Sequence, residues 1–82
     1  MRIDVSCGDD VAAMVRSTVA ESVVLVMPAA PAGFVEAVLR PIALAVAPRR
    51  VNAVVGASGD VDKGVAFLEA ASFTTAQRLD LP

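Results

Sequence analysis

Hydrophobic and polar positions change period several times along the chain, and each change marks an element. Arg2 to Cys7 alternate, with Ile3, Val5 and Cys7 on one side and Arg2, Asp4 and Ser6 on the other. A period of two with one polar face predicts a strand at a sheet edge. Gly8, Asp9 and Asp10 then supply a turn and a helix cap, with acidic groups placed favourably near the helix dipole. Val11, Met14, Val15, Thr18 and Val19 follow helical spacing, which predicts a helix from Asp10 to Ala20. Ser22 to Met27 is a continuous apolar run, the pattern of a central strand covered on both faces.

A Pro/Ala/Gly loop from Pro28 to Gly33 separates that run from a second helical stripe of Phe34, Val35, Val38, Leu39, Ile42 and Val46. Pro41 falls inside the stripe. It lacks a donor and its ring clashes with the carbonyl four residues back, so the helix is expected to kink or restart near Arg40 and to end by Pro48. Val51 to Val55 reads as a second central strand. Asp60 caps a third helix with apolar positions at Val61, Val65, Phe67 and Leu68, and Gly64 inside it costs about 1 kcal/mol of helix propensity. Phe73 to Leu81 alternates again and reads as a final edge strand. The order β-α-β-α-β-α-β predicts an α/β fold: one small domain over residues 1–82, with a four-stranded, mainly parallel sheet and three helices.

Strand order bears on partners. In a 1-2-3-4 order, right-handed crossovers would put all three helices on one face. The other face, carrying half of each central strand, would then be bare, and a second copy of the chain is the simplest cover. Orders with a reversal would cover both faces and predict a monomer.

Composition narrows the function. Of 82 residues, 56% are apolar, above the roughly 45–50% of average domains, which argues for a packed core rather than disorder. Net charge is −2, lysine occurs once, and neither Trp nor Tyr is present. Such a surface offers no basic face for phosphate backbones and no stacking platform, so nucleic acid is excluded as a partner. The absence of His removes the commonest general base and the Ser-His-Asp and Cys-His arrangements. One cysteine makes no internal disulfide and no ordinary zinc site, so no metal is expected. The run from Val23 to Pro48 is long enough to suggest a membrane span, but Glu36 and Arg40 lie within it. Each would cost about 2.5–3.5 kcal/mol at a bilayer centre, and four prolines punctuate the run. Without a secretory hydrophobic core at its start, the chain is expected to be cytoplasmic.

Three stretches carry candidate chemistry. In "VVGASGDVDKGV", Gly56, Ser58, Gly59 and Lys63 form a strand-to-helix loop of the kind that holds phosphate. The dinucleotide fingerprint is G-x-G-x-x-G, whereas here Gly56 and Gly59 are three apart and Asp62 occupies the next glycine's place. A carboxylate there repels pyrophosphate and Asp60 adds to it, so the loop reads first as a tight turn, with an anion contact as the alternative. Cys7 stands before a helix start, where a thiol can become reactive; buried and inert is the alternative. Arg49 and Arg50, between a helix end and a strand, read as solvent-exposed dipole partners, with an anion site shared with Lys63 as the alternative.

Two family resemblances follow from these segments. From Val51 onward the chain is similar to the C-terminal part of GCN5-related acetyltransferases, with Phe67, Leu68, Glu69 and Phe73 at matching places and Ser72 where glycine is usual. The segment corresponding to their CoA-pyrophosphate loop, "PAAPAGFVEAVL", keeps Gly33 and lacks the arginine and first glycine; the tyrosine that serves as acid is absent. More of the chain resembles a STAS domain, the anti-sigma-factor-antagonist fold. "MRIDVSCGDD", "SVVLVMPAAPAGFVEAVL" and "VNAVVGASGDVDKGVAFLEAASF" match its successive strands and helices, but residues 28–33 hold no Ser or Thr to accept phosphate. That resemblance implies a regulatory module that binds without phospho-switching.

The expectation is therefore a non-enzymatic protein-interaction or regulatory module, STAS-like and self-associating as a homodimer, with no cofactor. The alternative is a degenerate acetyltransferase-like or Rossmann-like domain binding CoA or a nucleotide. In either case the strand-end loops, with Gly33, Gly56, Ser58, Gly59 and Lys63, would hold any ligand.

Overall fold

A computed structural model describes residues 1–6, 8–57 and 59–81. The elements run β1 (Arg2–Asp4), α1 (Val11–Arg16), β2 (Ser22–Met27), a π-helical turn (Val35–Leu39) continuing into α2 (Arg40–Val46), β3 (Arg50–Val55), α3 (Val61–Ala70) and β4 (Arg78–Asp80). All four strands are parallel, in the order β1-β2-β3-β4. Every residue from Val23 to Met27 and from Val51 to Val55 is buried, as continuous apolar runs at the centre of a sheet require. The short, half-exposed β1 and β4 form the edges.

Odd and even positions of the central strands feed two separate cores. Val23, Leu25, Met27, Val51, Ala53 and Val55 pack with Val15 of α1 and Leu39, Ile42 and Ala43 of the second helical segment. Val24, Val26 and Val54, on the other face, pack with Val65 and Leu68 of α3. The 1-2-3-4 order is therefore present, but the bare face is not: α3 covers it. Since the strand order never reverses, the β3–α3–β4 crossover must have the opposite hand to the first two, against a general preference of about 98% for one hand. Five consecutive buried positions on each of β2 and β3 demand cover on both faces, and α3 supplies the second. The argument for self-association through an uncovered face lapses with this arrangement.

Gly64 makes the close approach feasible. A Cβ there would lie 3.2 Å from Leu79 Cδ2 and 3.3 Å from Val54 Cγ2, so glycine's cost in helix propensity is exchanged for contact with β3 and β4. Phe67, grouped with the apolar stripe on spacing, instead faces solvent. The buried residues of α3 are Gly64, Val65 and Leu68.

Pro41 acts where its chemistry says it should. The N–H of Arg40 reaches back five residues to Val35, and α2 starts with the proline in its first turn. Without a Pro41 donor and with a clash against the carbonyl of Ala37, the preceding turn widens by one residue.

β1 stops at Asp4, short of the expected Cys7, and two further boundaries differ from expectation. α1 ends at Arg16 rather than Ala20: Ser17 Oγ donates to the Met14 carbonyl at 2.9 Å, and Thr18 Oγ1 accepts from the Ala20 N–H at 3.1 Å. These local bonds give the backbone an alternative to helix, and Val19 is left exposed. β4 begins at Arg78 rather than Phe73 because residues 74–77 are pinned to the start of β3. Ala76 N–H donates to the Val51 carbonyl at 2.7 Å, and Val51 N–H to Thr75 Oγ1 at 3.1 Å. Ala76 adopts φ 57°, which breaks any extended run, and Phe73 stands 99% exposed in the loop. Asp60 holds the N-cap position of α3, as expected.

Candidate functional site

Helix placement decides where a crevice can open. The loop after β2 (residues 28–34) leaves toward the α1/α2 face, and the loop after β3 (residues 56–60) leaves toward the α3 face. The two strands remain hydrogen-bonded up to Gly56 N–H and the Met27 carbonyl, at 2.9 Å. Beyond that bond the chain segments part to opposite sides. Such a divergence leaves the carboxyl ends of neighbouring parallel strands uncovered, which is where open α/β sheets bind ligands.

Two clefts meet there, one on each side of the sheet. The cleft on the α1/α2 side measures about 650 Å³ and is walled by Val5, Met27, Pro28, Ala29, Pro31 and Phe34, with Ser6 and Asp9 at its rim. That on the α3 side measures about 430 Å³ and lies among Arg2, Asp4, Met27, Gly56, Val61 and Asp62. Val5, Met27 and Pro28 line both. Each volume falls within the roughly 300–1,000 Å³ of small-molecule sites.

The charge in the crevice is largely committed. Arg2 Nη1 bonds Asp62 Oδ1 at 2.7 Å, and its Nη2 and Nε bond Asp4 Oδ1 at 3.0 and 3.2 Å. The Asp4 hydrogen bond, joined by Asp62, holds the guanidinium above its ordinary pKa. One cation thus answers two carboxylates, and that side of the crevice stays net negative. At the other rim Asp9 Oδ2 accepts from the Ser6 N–H at 2.8 Å. Asp62 also sits in the first turn of α3, where its charge already answers the helix dipole. Among the described residues no group of three or more His, Cys, Asp or Glu is arranged to hold a metal ion. Among the described residues no helix is long and apolar enough to cross a membrane.

The candidate residues from the sequence are distributed unevenly. Gly56 and Gly59 line the smaller cleft. Gly56 adopts φ 148°, and a Cβ on it would lie 2.7 Å from Leu81 Cβ, so its glycine character serves the packing of the chain against β4's end. Gly33, at φ 79°, leads into the helix start and lines neither cleft. Lys63 is 87% exposed, with Nζ 4.0 Å from Asp60 Oδ1. Cys7 and Ser58 lie outside the described residues. Arg49 donates to the carbonyls of Ala20 (2.9 Å) and Val15 (3.2 Å), and Arg50 to that of Ala71 (2.7 Å). Expected as solvent-exposed dipole partners, the two arginines are instead half-buried, and they tie down carbonyls at and just beyond the ends of α1 and α3 rather than that of the α2 end before them.

Sequence reasoning missed the crevice walls Val5, Met27, Pro28 and Phe34, which read as core or loop. It also missed the Arg2–Asp62 pair. Arg2 and Asp4 on one face of an alternating strand were visible; their partner sixty residues away was not.

A family model described as short chain dehydrogenase-like protein matches residues 4–81. The chain belongs to this short chain dehydrogenase-like family. The match overturns the STAS and acetyltransferase resemblances, which rested on the layout of alternating strands and helices and on short apolar segments that many parallel α/β folds share. No curated protein and no solved structure matches the chain. The four-stranded parallel sheet carries helices on both faces, and open α/β sheets take ligands at the carboxyl ends of their strands.

Proposed function

We propose that this short chain dehydrogenase-like chain is a Rossmann-like binding domain that takes a nucleotide-type ligand at the carboxyl ends of β1, β2 and β3 without performing hydride transfer itself. The observation that carries the reading is the divergence of the two loops beyond the Gly56–Met27 hydrogen bond, which opens a cleft on each side of the same strand ends, apolar on the α1/α2 side and charged on the α3 side. Family membership over nearly the whole chain adds a nucleotide as the ligand class. Against catalysis stand the lack of any His or Tyr and the engagement of Arg2 by two carboxylates. The pattern of glycines in "GASGDVDKG" also departs from the dinucleotide fingerprint.

Thermal unfolding with NAD(H), ADP and acetyl-CoA tests the proposal. A ligand present at about 100 times its Kd stabilises the fold by about 2.7 kcal/mol. The expected result is stabilisation by at least one of these, with amide chemical-shift changes confined to Val5, Met27, Gly56 and their neighbours. No stabilisation by any, or shifts elsewhere, overturns it. Turnover of NAD(H) with added carbonyl compounds would overturn the non-catalytic part alone.

A further inference from the structure

We infer that the chain pairs with a second copy of itself through the outer edge of β4. The two β4 strands run antiparallel about Leu79, and Phe67 of each copy closes the contact on the α3 side.

The backbone sets the register. Gln77 and Leu81 turn toward β3: the Gln77 carbonyl accepts from the Ala53 N–H at 2.9 Å, and the Leu81 N–H donates to the Val55 carbonyl at 2.8 Å. By the alternation of a strand, Arg78 and Asp80 direct their N–H and C=O groups outward, and among the described residues no strand lies beyond β4. An antiparallel copy with its two-fold axis at Leu79 sets Arg78 opposite Asp80 of the second copy, each such pair exchanging both its backbone hydrogen bonds. The side chains agree with that register. Arg78 Nε holds Asp80 Oδ1 at 2.8 Å within the strand, and across the axis each guanidinium meets the other copy's carboxylate. The edge is thus complementary in charge to itself, as an isologous contact requires. On the opposite face the half-buried Leu79 meets its own counterpart.

Exposed aromatic surface lies beside this edge. Asp62 and Glu69 of α3 reach Arg2 and the Met1 ammonium, which fixes the β1 flank of the helix. At roughly 100° per residue, Phe67 lies about 140–160° round from both, past Gly64 and its approach to Leu79, on the β4 flank. Phe67 is 64% exposed, and Phe73, in the loop that leads into β4, is 99% exposed. Aromatic residues are enriched where partners bury surface. β1 carries the same Arg-x-Asp pattern but lacks this cover. The α3 flank above it presents Asp62 and Glu69, and the Ser6 N–H beyond it is taken by Asp9 Oδ2. Two copies joined there would gather like charges.

Sedimentation equilibrium of the chain from micromolar to millimolar concentration tests the contact, with a monomer–dimer equilibrium as the expected result. Phe67→Ala, a change at an exposed position, should weaken the dimer about tenfold. Asp80→Arg alone and Arg78→Asp alone set like charges opposite each other, and each should weaken it by more than that. Mixing these two variants should restore association as a heterodimer, since every arginine then faces an aspartate. Should a charge variant fail to fold, Phe67→Ala decides alone. A chain that stays monomeric at millimolar concentration overturns the inference. So does a dimer that Phe67→Ala leaves unchanged, or one that Asp4→Arg abolishes while Asp80→Arg does not, since the contact would then lie at β1. Charge variants that weaken the dimer singly without recovery on mixing also overturn it, because the register about Leu79 demands that recovery.

Discussion

Asn52 Oδ1 accepts the backbone N–H of Gln77 at 3.0 Å, while Asn52 Nδ2 donates to the Thr74 carbonyl at 3.1 Å. One fully buried carboxamide in β3 thereby satisfies both a donor and an acceptor of the loop that delivers β4 to its place. Substituting Ala removes the partner and leaves the two backbone groups unpaired, at a cost of about 1–3 kcal/mol. Urea unfolding of Asn52→Ala should show a lower midpoint by that amount. Hydrogen exchange should accelerate first at Gln77 and in β4. A uniform acceleration over the whole sheet would count against this local role.

Gly56 and Leu81 set a second constraint. The positive φ of Gly56 disfavours any side chain, and the Cβ would meet Leu81 Cβ at 2.7 Å. Gly56→Ala should destabilise by about 2 kcal/mol or more, the sum of backbone strain and overpacking. Adding Leu81→Ala should recover only the packing part. Complete recovery in the double variant would mean that the backbone conformation contributes nothing.

Arg49 should not tolerate lysine. Its Nε and Nη2 reach two different carbonyls, Ala20 and Val15, from a half-buried position. An ammonium is a point donor without that fork. Arg49→Ala should lower stability by about 1.5–3 kcal/mol, the range for hydrogen bonds to charged groups, and Arg49→Lys should retain well under half of it. Chemical denaturation of both variants measures the difference, and equal stability of wild type and Arg49→Lys would refute the two-carbonyl role.

The Arg2 ion pairs give a pH signature by being absent from the neutral range. Asp4 and Asp62 raise the Arg2 pKa, so the folded state holds this proton more firmly than the unfolded chain does. The linked stability is fully present below the ordinary guanidinium value and is lost only as pH rises through the raised one. The difference in urea midpoint between wild type and Arg2→Gln should therefore stay flat from about pH 6 to 9. It should shrink with salt, because the pairs are exposed. A slope across that interval would implicate another titrating group.

Legibility in the sequence followed the range of the interactions. The runs Val23–Met27 and Val51–Val55 declare central strands because both faces must be apolar, and Pro41 declares a break because its effect is confined to one turn. Boundaries set by side-chain-to-backbone bonds, such as those of Ser17, Thr18 and Thr75, were overrun by the hydrophobic pattern. The face taken by α3 was illegible, since periodicity says which residues a helix buries but not against which side of a sheet. The crevice depends on that choice, so its walls were hidden too. Asn52, a single polar residue among valines, was the one local sign that β3 has a non-covalent debt to a neighbouring loop.

The placement of α3 is tested most directly by two adjacent residues. Leu68 is buried against Val24, Val26 and Val54, whereas Phe67 is 64% exposed one position away. Were α3 docked on a different stripe, the aromatic ring would be the natural anchor and its loss would be the greater. As the helix sits, Leu68→Ala should cost about 2–5 kcal/mol, through lost burial and the cavity left over the valines. Phe67→Ala should stay within about 0.5 kcal/mol of wild type. In a chain this small the first loss is a large share of the roughly 5–15 kcal/mol available, so Leu68→Met serves as the milder companion and should cost less than about 1.5 kcal/mol. Urea denaturation of the three variants gives the order directly. A greater loss for Phe67→Ala than for Leu68→Ala would mean that the helix packs on another stripe.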